Sequence, residues 1–280
     1  MLAFVSDTQQ PMWVEKVLLK PNHNITATAG IFNEILRKRP QNLYMLGDVV
    51  SLGFRNRKWR KADQFLDSCR KAGIVVNGLL GNHELIGRAK KGELNFAKRF
   101  PLNVRTGYVS IADSIAVVML NSNFSSLSQT ELAKQQSWYT AVLAALDATD
   151  SIATAIVTCH HAPFSNSKTV GSSSTVQQYF VPPYINSKKT ALFITGHAHA
   201  FEHFNQQGKD FVVIGGGGGL HQPLSNAANV LPDLAATYKP MFHYLTVHRI
   251  GKNLEVTSHF LNNNFVGFEK GYSFITKPLL

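Results

Sequence analysis

Five short apolar runs along this chain each end on a side chain that can donate a lone pair to a metal ion. Leu2-Ala3-Phe4-Val5 leads into Asp7 and Gln9, and Leu43-Tyr44-Met45-Leu46 leads into Gly47-Asp48. Ile74-Val75-Val76 opens a run that terminates in Gly81-Asn82-His83-Glu84. Ile152–Cys159 ends in His160-His161-Ala162-Pro163, and Ala191-Leu192-Phe193-Ile194 ends in Gly196-His197-Ala198-His199. Short apolar runs bounded by glycine, proline and polar residues read as buried strands. Between the first three lie helical patterns, one with Ile25, Ile31, Phe32, Ile35 and Leu36 on a single face, the other from Trp59 to Lys71 with Phe65, Leu66 and Cys69 inward. Pro40 closes the first and Gly73 the second. Strand, helix and strand in alternation predict right-handed crossovers and a largely parallel sheet.

Further along, Tyr108–Ile111 and Ile115–Leu120 read as paired strands across an Asp-Ser turn, and Gln129–Leu146 has helical period. The Ser-rich segment Ser165–Thr175 reads as a mobile loop over the strand ends. Phe211–Ile214 is followed by five consecutive glycines at 215–219 and a long loop to about Lys239. Phe242–Val247 and Leu254–Phe260 finish as antiparallel strands, with Phe265–Ile275 a candidate last one. The glycine run has two readings: backbone N–H groups brought close to a phosphate, or a flexible turn, which is favoured. With no boundary or repeat, residues 1–280 read as one domain of two packed sheets with outer helices.

Composition excludes some classes. A mean hydropathy of −0.07, and no apolar run approaching the roughly 18 residues a membrane span needs, predict no transmembrane helix. The chain enters a strand at once, which predicts a cytoplasmic protein or one whose leader has been removed. Cys69 and Cys159 define no disulfide framework and read as buried thiols. The net charge of +11 is confined to residues 37–105, which hold sixteen Lys/Arg against five Asp/Glu. Such a segment is either a set of solvated faces, the favoured reading, or a rim that attracts an anionic substrate. Trp59 is the one aromatic in the run at 55–61, too little to favour nucleic acid as the partner.

Collected in order, the donors are Asp7, Gln9, Asp48, Asn82, His160, His197 and His199. Oxygen and imidazole without thiolate suit Mn, Fe, Zn or Co better than a structural zinc site. Two adjacent ions need a bridging carboxylate, which Asp48 supplies. Such a pair clamps both oxygens of an in-line displacement at phosphorus and lowers the pKa of a shared water.

The ordered set Asp7-Thr8-Gln9, Gly47-Asp48, Gly81-Asn82-His83-Glu84, His160-His161-Ala162-Pro163 and Gly196-His197-Ala198-His199 resembles the calcineurin-like metallophosphoesterases. The stretch Gly196-His197-Ala198-His199-Ala200-Phe201-Glu202 is similar to the purple acid phosphatase branch. The resemblance covers roughly residues 3–260 and implies an α/β fold, a four-layer αββα sandwich of two mixed sheets flanked by helices, with a dinuclear centre at the sheet edge. It implies that Asp7, Gln9, Asp48 and His199 hold one ion and Asp48, Asn82, His160 and His197 the other. The ions would be divalent or trivalent, Mn, Fe or Zn, with Mg a further candidate. His83 would meet the phosphate and protonate the leaving group, help worth about 10²–10⁴-fold. His161 and His221 are candidates for substrate contact.

Four residues, at three places, depart from the family pattern. Gln9 stands where a histidine is usual, Ser51 where the purple enzymes have a tyrosine, and Phe201 and His203 where they have tyrosine and arginine. The function implied is hydrolysis of a small phosphomonoester or phosphodiester by metal-activated hydroxide. A catalytically weak scaffold of the same fold and a nucleotide or nucleic-acid phosphodiesterase stand as alternatives.

Overall fold

The structure, a computed structural model, describes residues 1–12, 15–17, 19–225, 227 and 230–276. The first third alternates β1 (Leu2–Val5), α1 (Asn24–Lys38), β2 (Asn42–Met45), α2 (Asn56–Lys71) and β3 (Val75–Gly78), as the apolar spacing predicts. A further helix, α3 (Ala89–Ala97), follows where the spacing predicts none. The middle third holds β4 (Tyr108–Ala112), β5 (Ile115–Met119), α4 (Gln129–Ala148), β6 (Thr154–Thr158), the short α5 (Ser174–Tyr179) and α6 (Val181–Asn186), and β7 (Thr190–Thr195). The last third is all strand: β8 (Phe201–Gln206), β9 (Lys209–Ile214), β10 (His243–Ile250), β11 (Asn253–Leu261) and β12 (Phe268–Ile275).

Local chemistry sets several boundaries. Arg39 takes a left-handed φ of 48° immediately before Pro40, which ends α1 as proline spacing predicts. Asp113 and Ser114 both have positive φ, the backbone a two-residue hairpin turn needs between β4 and β5. At the start of α4, Ser128 and Glu131 form a reciprocal capping box that satisfies two otherwise orphaned N–H groups.

Two six-stranded sheets result, ordered β12-β11-β10-β1-β2-β3 and β4-β5-β6-β7-β9-β8. In the first, β1, β2 and β3 are parallel and β10 pairs with β1 antiparallel. In the second, β5, β6, β7 and β9 are parallel, while β4 and β8 lie antiparallel at the edges. Strand alternation sorts the side chains into three apolar layers. Ala3, Val5, Leu43 and Met45 pack against α1 and α2. Leu2, Phe4, Tyr44 and Leu46 meet Val117, Ile156 and Ile194 between the sheets. Val118, Val157, Phe193 and Val213 pack against α4 and α6 through Tyr139, Leu143 and Tyr184. This is the four-layer αββα sandwich of two mixed sheets. Each fully buried Leu, Ile or Phe contributes about 1.5–3 kcal/mol of transfer free energy.

Two loop expectations are corrected. Gly215–Gly219 is neither a flexible turn nor free to cradle a phosphate. All five residues are buried, with Gly217 N donating to Ser6 O (2.9 Å) and Gly219 N to Asp7 O (2.8 Å). The run is a strap against the chain that carries Asp7, and glycine allows the backbones that close. The Ser-rich segment is pinned rather than mobile. Ser165 Oγ donates to Glu202 Oε2 (2.6 Å), Asn166 N to Glu202 Oε1 (2.8 Å) and Ser167 Oγ to Gln222 Oε1 (2.8 Å). Of the long loop that follows the strap, residues 226, 228 and 229 lie outside the described residues. Cys69 and Cys159 are free and buried. Among the described residues, no helix is long and apolar enough to cross a membrane.

Candidate metal centre

The carboxyl ends of β1, β2 and β3 from one sheet and of β6 and β7 from the other meet at one edge. Gly196 N donates to His160 O (3.0 Å), joining the ends of β6 and β7. His160 Nδ1 donates to Leu46 O (2.8 Å), joining the two sheets. The approach is close enough to demand glycine. At Gly47, with φ of 87°, a Cβ would sit 2.7 Å from His160 Nδ1, and at Gly196 a Cβ would collide with Ser6 and Asp7. Asp7, and Asp48 directly after Gly47, take left-handed φ values of 60° and 50° that turn their carboxylates into the edge.

His197 and His199 reach the edge by a different route from the strand alternation expected of a His-x-His pair. Successive contacts of Ala198 N with Gly196 O (2.8 Å) and Ala200 N with Ala198 O (2.7 Å) make residues 196–200 a tight double turn. His197 sits in it at φ of 66°. The turn separates the two rings. His197 stacks edgewise on His160 (5.0 Å between centroids), whereas His199 Nε2 lies 3.4 Å from Asp7 Oδ1.

Two groups of lone pairs follow. In one, the atoms of Asp48, His160 and His197 lie within 4.8 Å of one another. His160 Nε2 is 3.3 Å from Asp48 Oδ2 and 3.1 Å from Asn82 Oδ1. Because a carbonyl oxygen only accepts, the bond to Leu46 places the imidazole hydrogen of His160 on Nδ1. Its Nε2 lone pair therefore faces two oxygen acceptors, an arrangement that either a second proton or a metal cation reconciles. In the other group, His199 Nδ1 donates to Leu220 O (2.6 Å), which turns its Nε2 lone pair toward Asp7 Oδ1. That Asp7 oxygen is buried with no hydrogen-bond partner. The Gln9 amide, oriented to suit its neighbours, donates its nitrogen to Asp48 O (2.9 Å) and Asp7 O (3.0 Å). Its oxygen then faces His199 Nε2. The residues of the first group fit a cation, and the unpartnered Asp7 oxygen beside His199 and Gln9 leaves room in donor chemistry for a second.

The electrostatics agree. Burial opposes charge on His160, but the Asp48 carboxylate beside it prevails and pushes its pKa up to about 10. Burial also opposes a raised pKa at His199, where the neighbouring Asp7 carboxylate prevails. At Asp48, burial is outweighed by His160 and His83, and the carboxyl falls well below its usual range. Both imidazoles are thus drawn toward a positive charge that a metal would supply in place of the proton. Burial and the neighbouring His160 hold His197 neutral, well below its ordinary value.

His83 lies beside the first group. Its Nδ1 donates to Ser51 O (3.3 Å), leaving Nε2 3.8 Å from Asp48 Oδ2 and 3.9 Å from Glu15 Oε1. The ring of His161 is 4.4 Å from that of His197, and burial lowers its pKa to about 3, so it is neutral. Its partner is Ser122 Oγ (2.8 Å). His221 is half-buried beside His199, its Nδ1 unpartnered and its pKa lowered by burial. Ser51 offers a hydroxyl where a tyrosine would stand, and Tyr44 points into the layer between the sheets.

Two supporting residues have no donor role in the sequence reading. Glu84, fully buried, accepts from Asp48 N (2.9 Å), Gly81 N (2.9 Å) and Val50 N (3.1 Å), tying the loops after β2 and β3 together. Burial and then the charge of Asp48 push its carboxyl up to about 7. Gln222 donates to His197 O (3.4 Å), and its own N–H donates to His199 O (3.3 Å). The signal for Glu84 was its place directly after Asn82-His83. Gln222 lies in a loop whose partners no sequence spacing reveals.

A family model described as calcineurin-like phosphoesterase matches residues 1–201. The chain belongs to that family, one of phosphoric ester hydrolases. β10, β11 and β12, which complete the first sheet, lie beyond the matched residues. No curated protein sequence matches. Among solved structures, a purple acid phosphatase from yellow lupin seeds superposes on 98% of this chain at a TM-score of 0.70 and 14% identity. This chain spans only 53% of that enzyme's length. GAP50, described as the anchor in the inner membrane complex of Plasmodium, covers 100% of the chain at a TM-score of 0.69 and 14% identity, with 89% of its own length matched. A dimetal phosphatase from Danio rerio matches 96% of this chain and 97% of its own at a TM-score of 0.56 and 14% identity. At these identities the likeness is one of fold.

Proposed function

We propose that the chain hydrolyses a small phosphomonoester or phosphodiester at a dinuclear centre held by Asp7, Gln9, Asp48, Asn82, His160, His197 and His199. We read residues 1–280 as one domain built around it. The observation that carries the reading is the buried apposition of Asp48, Asn82 and His160 lone pairs beside His197, with the orphaned Asp7 oxygen opposite.

When bound, the metal pair supplies Lewis acidity toward a phosphoryl oxygen and makes hydroxide available near neutral pH. The chain's own residues do the rest. Leu46 O and Leu220 O hold His160 and His199 with Nε2 inward. Such outer partners fix ring orientation and raise basicity. His83 keeps one hydrogen on Nδ1 through Ser51 O, so a second proton on Nε2 is the one it can deliver to a leaving oxygen. His161, held neutral, can accept or donate a hydrogen bond at the substrate without adding charge.

A panel of nitrophenyl monoesters and diesters offered to the Mn-reconstituted protein tests the reading. Turnover above the metal-free protein on at least one ester class is expected. No metal-dependent turnover on either would leave the catalytically weak scaffold as the better account.

Gln9 makes a finer prediction. An amide oxygen donates less strongly than imidazole, so the ion beside Asp7 and His199 exchanges more readily than the other. Gln9→His is expected to tighten Mn or Zn at that site in calorimetric titration. Two equal sites in the wild type, unchanged by the substitution, would reject this assignment.

A further inference from the structure

A cleft of about 360 Å³ runs between α1 and α2, and none of the seven candidate ligands lines it. Its floor is apolar, formed by Val49, Val50 and the face-to-face rings of Phe32 and Phe65, whose centroids lie 3.8 Å apart. Leu36 lies at one end, with Asn33, Gln64 and Ser68 also on the lining. The other end, beside the carboxyl edge of the sheet, is polar and carries Lys58, Lys61 and Ser51. No carboxylate lines the cleft, and the acids of α2 are engaged elsewhere, Asp63 with Arg99 and Asp67 with Arg70. Ser51 Oγ is buried without a hydrogen-bond partner, an arrangement that costs free energy until something fills it. Both helices begin at this end, so the positive poles of their backbone dipoles add to the two ammonium groups.

We propose that this cleft is a second ligand site, separate from the metal centre, for a small amphipathic anion. A carboxylate or phosphate head lies at Lys58, Lys61 and the Ser51 hydroxyl, and an apolar chain lies along Phe32 and Phe65 toward Leu36. Lysine supplies the charge and its long stem covers the start of the chain. The rim is open on one side, where Ala29 of α1 is exposed. Ser51 joins this site to the other, since its carbonyl oxygen holds His83.

The test is calorimetric titration of the metal-free full chain with octanoate, octanol and octylammonium. Metal-free protein removes the centre at which a carboxylate would otherwise bind, so the outcome is independent of whether the chain hydrolyses esters. One saturable site per chain is expected, with octanoate at least about tenfold tighter than octylammonium. Ala29→Trp fills the cleft from an exposed position and should weaken octanoate by about tenfold or more. Lys58→Gln with Lys61→Gln should bring octanoate down to the affinity of octanol. Circular dichroism of both variants checks that the fold is kept. Octylammonium binding as tightly as octanoate, octanoate binding that Ala29→Trp leaves unchanged, or no saturable binding would each overturn the proposal.

Discussion

Glu84→Ala is expected to lose at least about 3 kcal/mol of stability and about 10²-fold or more in turnover. The stability figure follows from three buried N–H groups, those of Asp48, Val50 and Gly81, left without an acceptor at about 1–3 kcal/mol each. The activity figure follows from position. Asp48 sits in a strained left-handed conformation at φ of 50°, and its backbone N–H is held by Glu84. A shift of about 1 Å at a reacting group can cost about 10²-fold. Glu84→Gln keeps the shape and at least one acceptor, so it should fall between the wild type and alanine in both measures. Urea unfolding with parallel kinetics on a nitrophenyl ester separates the two effects. An alanine variant with wild-type stability and turnover would mean the carboxylate merely fills space.

The second large effect is at His83. His83→Ala should lower turnover by about 10²-fold or more on an alkyl phosphate, which needs a proton on its leaving oxygen. That is about 2.7 kcal/mol of barrier. The loss should shrink on nitrophenyl phosphate, whose leaving group departs without help. Metal content should not change, because the hydrogen bond that His83 gives Asp48 comes from its backbone N–H, donated to Oδ1 at 2.8 Å, and alanine keeps it. Equal losses on the two substrates would show that His83 acts in some way other than by protonating the leaving group.

The parallel half of each sheet was legible because its strands are short, apolar and followed by polar turns. The candidate site was legible as a convergence because five of those turns carry donors. β8 was not, since its buried positions, on the two faces of the strand, include Glu202 and His203 in place of aliphatic residues. Their burial is balanced by Ser165 and Asn166 for Glu202, and for His203 by Asp210 on the paired strand β9 and the distant Tyr272. α6 opens Val181-Pro182-Pro183, which reads as a break, yet proline is tolerated in a first helical turn. α3 is nine residues with Gly92 inside it, and that glycine is needed where the helix meets the Glu84 carbonyl. The basic segment proves to be partly paired. Arg37 meets Glu34, Arg99 meets Asp63 while lying over Trp59, and Arg105 meets Glu93 and Glu131. The two lysines at the α1–α2 cleft are a small part of the segment's charge.

Everything proposed about catalysis depends on two cations held at the meeting of the sheets. The direct measurement is elemental analysis of the full chain after Mn reconstitution and removal of free metal, with Asp48→Asn and His160→Ala alongside. Two ions per chain are expected in the wild type. Asp48→Asn removes the shared carboxylate and should lose most of both, whereas His160→Ala should lose chiefly the ion it shares with Asn82 and His197. Background metal in the wild type, or two ions retained by Asp48→Asn, would contradict the assignment.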